Sequence, residues 1–150
     1  MRKQVFVRVT LVSFLVALAA ASIHAQSGVR IAATMPFDFT VGGTTLRAGE
    51  YIVGATTSEV LTIRSSDAKR AVMRLAGPIY ASRPPVETKL IFHRYGDRYF
   101  LAEVWTAGET TGRRVFKSSQ ERAIEREMRN PSKREAKARY EAVEIIGTLQ

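Results

Sequence analysis

The chain has 150 residues, with 23 basic against 14 acidic side chains, a formal charge of +9 and no cysteine. At 45% apolar and 25% charged residues the composition is globular, which excludes a wholly disordered chain and a polytopic membrane protein. The missing cysteine excludes a disulfide framework, a thiol nucleophile and a thiolate metal site.

Residues 1–25 have the pattern of a secretory signal peptide. Arg2, Lys3 and Arg8 make a positive start, Val9 to Ala21 is apolar apart from Thr10 and Ser13, and small Ala25 stands at the expected cleavage position. An apolar run of about 13 residues spans only about 20 Å as a helix, short of the ~30 Å hydrocarbon core, which argues against an uncleaved anchor. The mature chain is then expected to be exported, periplasmic or extracellular, with no transmembrane span. Loss of Arg2, Lys3 and Arg8 lowers the 23 basic residues to 20 against 14 acids, a net charge of +6. An exported basic chain seldom meets nucleic acid. The partners to expect are an anionic envelope component, lipid headgroup or polysaccharide, or another envelope protein.

From 26 to 117 the pattern is that of an antiparallel β domain. Arg30 to Thr34 is a β-compatible run that Pro36 interrupts. In Phe37-Asp38-Phe39-Thr40-Val41 the two-residue period puts three large side chains on one face, and Gly42-Gly43 closes the strand as a turn. Tyr51-Ile52-Val53 starts another strand, and the runs Val60 to Arg64 and Arg70 to Leu75 flank Ser65-Ser66-Asp67 as a hairpin. Gly77-Pro78 and Arg83-Pro84-Pro85 are expected to bound an irregular loop. The runs Lys89 to His93 and Tyr99 to Trp105 surround Tyr95-Gly96-Asp97, where Gly96 is free to adopt positive φ. A three-residue loop sets Phe92 opposite Phe100, His93 opposite Tyr99 and Lys89 opposite Glu103, with Arg94 and Arg98 facing each other. A two-residue loop at Gly96-Asp97 shifts every pair by one and sets Leu90 against Glu103. The first register is preferred because it gives sensible pairs on both faces, the facing of Arg94 and Arg98 across the turn being its weak point.

The segment 118–140 is charged and helical. Ser118 with Glu121, and Ser132 with Glu135, form capping-box patterns. Asn130-Pro131 interrupts any single helix, leaving one over about 119–129 and another over about 133–140. Residues 141–150 hold a possible final strand at Ala142 to Ile146. Seven or eight short strands with turn signals between them predict a mainly β fold, an antiparallel sandwich or small barrel with a short charged C-terminal helical segment.

The strings Pro36-Phe37-Asp38-Phe39-Thr40-Val41-Gly42, Leu46-Arg47-Ala48-Gly49-Glu50-Tyr51 and Leu61-Thr62-Ile63-Arg64 resemble a group of uncharacterised, exported bacterial β-rich proteins. The most specific part is Phe92 to Leu101 in the order FHRYGDRYFL, continuing to Val104-Trp105. The resemblance covers roughly residues 30 to 120, and departs where members commonly have proline and this chain has Arg47. It implies export and a β-rich domain, and carries no activity or catalytic residue.

Chemistry-bearing constellations are sparse. After loss of His24 only His93 remains, so with no cysteine a zinc site is not expected, and Asp38, Asp67 and Asp97 lack calcium-loop spacing. No Gly-x-Ser-x-Gly, Gly-x-Gly-x-x-Gly or phosphate loop occurs. The reading is therefore a non-catalytic binding or structural module of the periplasm or cell envelope, without metal or cofactor. The alternatives are a small outer-membrane β-barrel, disfavoured by strands of about 5–7 residues where about 9–11 are needed, and a hydrolase using His93. The polar and aromatic hairpin supplies the candidate ligand-binding residues His93, Arg94, Tyr95, Arg98, Tyr99 and Trp105. Their structural reading has Tyr99 and Trp105 filling one sheet face with His93 half-buried against Tyr99.

Overall fold

Inward and outward side chains alternate along Arg30–Met35 (β1), burying Ile31, Ala33 and Met35 and leaving Arg30 and Thr34 exposed. The computed structural model describes residues 28–55, 57, 59–128 and 140–150. The leader assigned to 1–25 and the second helix expected up to Tyr140 lie outside the described residues, apart from Tyr140 itself, which is not helical.

The same alternation builds Gly49–Ala55 (β4) and Val60–Ser65 (β5), which send Tyr51, Val53, Leu61 and Ile63 inward. Phe39–Val41 (β2) and Thr44–Leu46 (β3) form a hairpin around Gly42 and Gly43, both at positive φ. β3 was not expected from sequence, because Thr44-Thr45-Leu46 offers too short a run to show a period. Ala71–Tyr80 (β6) is longer than expected. Gly77 and Pro78 do not open an irregular loop but continue the strand. β6 pairs with β5 up to Leu75 and with Thr111–Val115 (β9) from Ala76 on, so it passes from one sheet to the other at Ala76-Gly77. Past that corner β9 is the only strand neighbour of β6 among the described residues, a position where proline's missing N–H is tolerated.

The second sheet adds Lys89–Tyr95 (β7), Arg98–Trp105 (β8) and Glu141–Ile146 (β10), while Thr148–Leu149 (β11) joins the first. The order is β10-β7-β8-β9-β6-β5-β4-β1-β11, with β2 lying parallel to β8, so the sheet is mixed. It does not close into a barrel. The two layers face each other as a sandwich over one core, in which Ile31, Val53, Leu61 and Ile63 of one sheet meet Leu90, Phe92, Leu101 and Val104 of the other. Phe92 lies edge-on to Phe37 and Phe39, with ring centroids 5.4 and 5.5 Å away. Phe37, Phe39 and Val41 do share the core side, as their spacing predicts.

The two outer edges of this path are carried by one short stretch of chain. β10 pairs with β7, setting Val143 against Phe92 and Ile145 against Leu90, while β11 pairs with β1, setting Leu149 against Ile31. Gly147 alone separates them, and its N–H donates to the Thr88 carbonyl at 2.9 Å. A Cβ there would stand 2.4 Å from Ile31 Cγ2 and 3.3 Å from the Ala32 oxygen. Gly147→Ala is therefore expected to lower stability by about 1–3 kcal/mol through overpacking. Urea denaturation checks this as a fall in midpoint at unchanged slope.

Candidate binding groove at the helix and sheet junction

The hairpin β7–β8 turns on Gly96 and Asp97, a two-residue loop with Gly96 at φ 62°. Tyr95 pairs with Arg98, Arg94 with Tyr99, His93 with Phe100 and Phe92 with Leu101. The preferred three-residue register is thus overturned: Phe92 does not oppose Phe100, and Arg94 and Arg98 do not face each other. What the alternative register lacked is a β-bulge. Between Ile91 and Phe92 the pairing shifts and leaves Ala102 over, so Ile91 meets Glu103, Leu90 meets Val104 and Lys89 meets Trp105. The bulge spares buried Leu90 a carboxylate partner.

It also reverses the faces of β8. Tyr99 points to the core side, where its ring stacks on Phe37 at 3.7 Å and lies beneath the Arg94 guanidinium, 5.6 Å from the ring centre. Trp105, six positions on, points outward. The expectation that Tyr99 and Trp105 fill one face is corrected, as is that of His93 packing on Tyr99. Trp105 lies across Gly112, where a Cβ would meet the indole at 2.7 Å. Its N–H donates to Glu103 Oε2 at 2.9 Å, and Arg114 holds the other Glu103 oxygen at 2.8 Å.

The outward face of the second sheet is covered by Ser119–Met128 (α1), which the sequence predicts. Ser118 Oγ accepts the Glu121 N–H at 3.1 Å, half of the expected capping box. The Glu121 carboxylate goes elsewhere. It is 95% buried, with Oε1 2.9 Å from His93 Nδ1 and 3.3 Å from the Tyr95 hydroxyl, which donates to it. An ionised carboxylate only accepts, so Nδ1 of His93 carries the proton. Tyr95 donates more closely to Glu125 Oε1 at 2.9 Å, and Lys117 is ion-paired with the same oxygen. Tyr140 lies over His93 with centroids 4.0 Å apart, and the Lys117 ammonium lies 5.6 Å from the Tyr140 ring centre.

Burial first, then the hydrogen bond to Glu125 and the nearby carboxylate charges, raise the Tyr95 hydroxyl well above its ordinary value of 10.0. The folded state keeps this proton where the unfolded chain gives it up, so stability is intact below about pH 10 and falls as pH rises beyond it. Thermal melts across about pH 9 to 11 should show a steeper loss for the native protein than for Tyr95→Phe. Equal slopes would remove Tyr95 as the cause.

Of the six sequence-assigned residues, His93 and Tyr95 come together under α1. Arg94 and Tyr99 lie on the core side of the hairpin, with Arg94 paired to Glu141 at 3.2 Å. Arg98 is exposed beside the turn and Trp105 stands at the far end of β8. They do not form one site. Glu121, Glu125, Lys117 and Tyr140 were missed; the capping pattern and the i, i+4 acids on α1 were the available signal. Beside the His93–Glu121 pair opens a groove of about 380 Å³, lined among others by Glu103, Arg114, Phe116, Lys117 and Tyr140. Phe116 and Tyr140 remain 61% and 43% exposed. Among the described residues no cluster of histidines and acids has the make-up of a metal site, and no helix is long and apolar enough to cross a membrane. No family model, curated protein or solved structure matches the chain.

Proposed function

We propose that the mature chain is a non-catalytic exported binding module that holds an acidic saccharide of the cell envelope in the groove beside α1. The observation that carries this reading is the combination of two exposed rings, Phe116 and Tyr140, with the cations Arg114 and Lys117 around a cleft of about 380 Å³. Ring faces suit the apolar side of a sugar, and the cations suit its carboxylates. Arg114 spends Nε and Nη2 on Glu103, which leaves Nη1 to donate, and an ammonium such as Lys117 has three donors. Within the groove His93 Nδ1 is held by the Glu121 carboxylate, which fixes the ring beside the cleft. Export rests on the leader pattern at 1–25 and on the resemblance to exported β-rich proteins.

Calorimetric titration of the mature chain with oligogalacturonate and with neutral maltooligosaccharide tests the proposal. Binding of the acidic oligomer alone, weakened at least about tenfold in Phe116→Ala, corresponds to loss of a stacking contact of this kind. Absence of binding, or binding indifferent to Phe116→Ala and Lys117→Gln, overturns it. A lipid adduct in the native mass spectrum would give the groove to a headgroup instead.

A further inference from the structure

On the outward face of the sheet formed by β1, β4, β5 and β6, the first half of β6 breaks the rule for a solvated sheet. Such a face should carry polar residues at every second position. On β6 those positions are Ala71, Met73 and Leu75; all three are exposed, Met73 at 56% and Leu75 at 61%. Their cross-strand neighbours extend the patch. Val60 is paired with Leu75, and Ile52 lies on the same face of β4, one strand from Ala71. Nothing among the described residues covers these side chains. The charged groups on this face are Arg30 on β1, next to Gly54, and Arg64 on β5, between Ile52 and Ala71, with Glu50 at one end.

We infer that this face docks on an anionic lipid surface. An apolar patch with Arg64 between its side chains and Arg30 at its β1 side matches the layered chemistry of a bilayer interface, where methionine and leucine side chains enter the acyl boundary and arginine stems lie along it with their heads among phosphates. Charge decides the occupant. A second copy of the chain would bring the same two arginines and one glutamate, with no excess of acid to receive them, whereas an anionic leaflet supplies it. The inference is independent of the groove beside α1, which lies on the other sheet.

Flotation of the mature protein with phosphatidylglycerol vesicles, against phosphatidylcholine vesicles, is the test. The native protein should float with the anionic vesicles only. Met73→Asp/Leu75→Asp should abolish flotation with an unchanged circular dichroism spectrum and melting midpoint, because both side chains are exposed. Arg30→Gln and Arg64→Gln should each weaken partition about fivefold, the contribution of one basic residue near such a surface. No flotation, or flotation equal in the aspartate variant, overturns the inference. So does a native dimer in light scattering that the aspartate pair disperses, since the face would then belong to a second copy.

Discussion

Replacing Glu121 by alanine is expected to lower stability by about 2–4 kcal/mol, although the residue lies on a charged surface helix. The carboxylate is 95% buried and serves His93 and Tyr95 at once. Removing it leaves the His93 N–H without its acceptor beneath Tyr140, while Tyr95 keeps Glu125. It also takes away the anchor of a ten-residue helix too short to persist alone in water. The loss should therefore have two signatures: a lower denaturation midpoint, and tryptic cleavage at Lys117 and Arg122 under conditions where the native protein resists. Glu121→Gln keeps the shape and an acceptor oxygen, and should recover about half of the loss. If Glu121→Ala melts like the native protein, the buried carboxylate does not hold α1 down.

Phe92→Ala should be the most damaging single truncation, at about 3–5 kcal/mol. Phe92 is fully buried, lies edge-on to Phe37 and Phe39, and has Leu101 and Val143 opposite it on the neighbouring strands. These contacts come from elements far apart in the chain, so no local movement closes the cavity. Against a typical total of about 5–15 kcal/mol the variant would keep only a fraction of its stability. Guanidinium unfolding followed by Trp105 fluorescence reads this directly. A loss near 1 kcal/mol would mean that the core collapses around the gap.

The strands were legible because alternation is a local signal: Phe39 and Val41, Tyr51 and Val53, Leu61 and Ile63 show their buried face within a few residues. The hairpin register was not. Phe100, Leu101 and Ala102 are all buried, and such a run reads equally as a strand covered on both sides or as a bulge. Here both hold, with Phe100 packed edge-on to Tyr95 on the outward side and the core taking Leu101. The fate of Glu121 was hidden for a related reason. Its spacing from Ser118 is that of a local cap, while its partners His93 and Tyr95 come from a strand that the sequence separates from it by two further strands and their connections. Gly147 carried no signal either, since the side chain that forbids a Cβ there is Ile31, almost the whole described chain away.

That distance has a consequence for how the protein comes to be. The first described strand, β1, gains its outer neighbour, and β7 gains one of its own, only when residues 141–149 have been made. Until then a nascent sheet presents two rows of unpaired amides and carbonyls to whatever else is near. A chain wired in this way is poorly suited to folding piece by piece as it is synthesised. It is well suited to staying unfolded until the whole chain is present and then being sealed in one concerted step, with Gly147 as the stitch between the two seams.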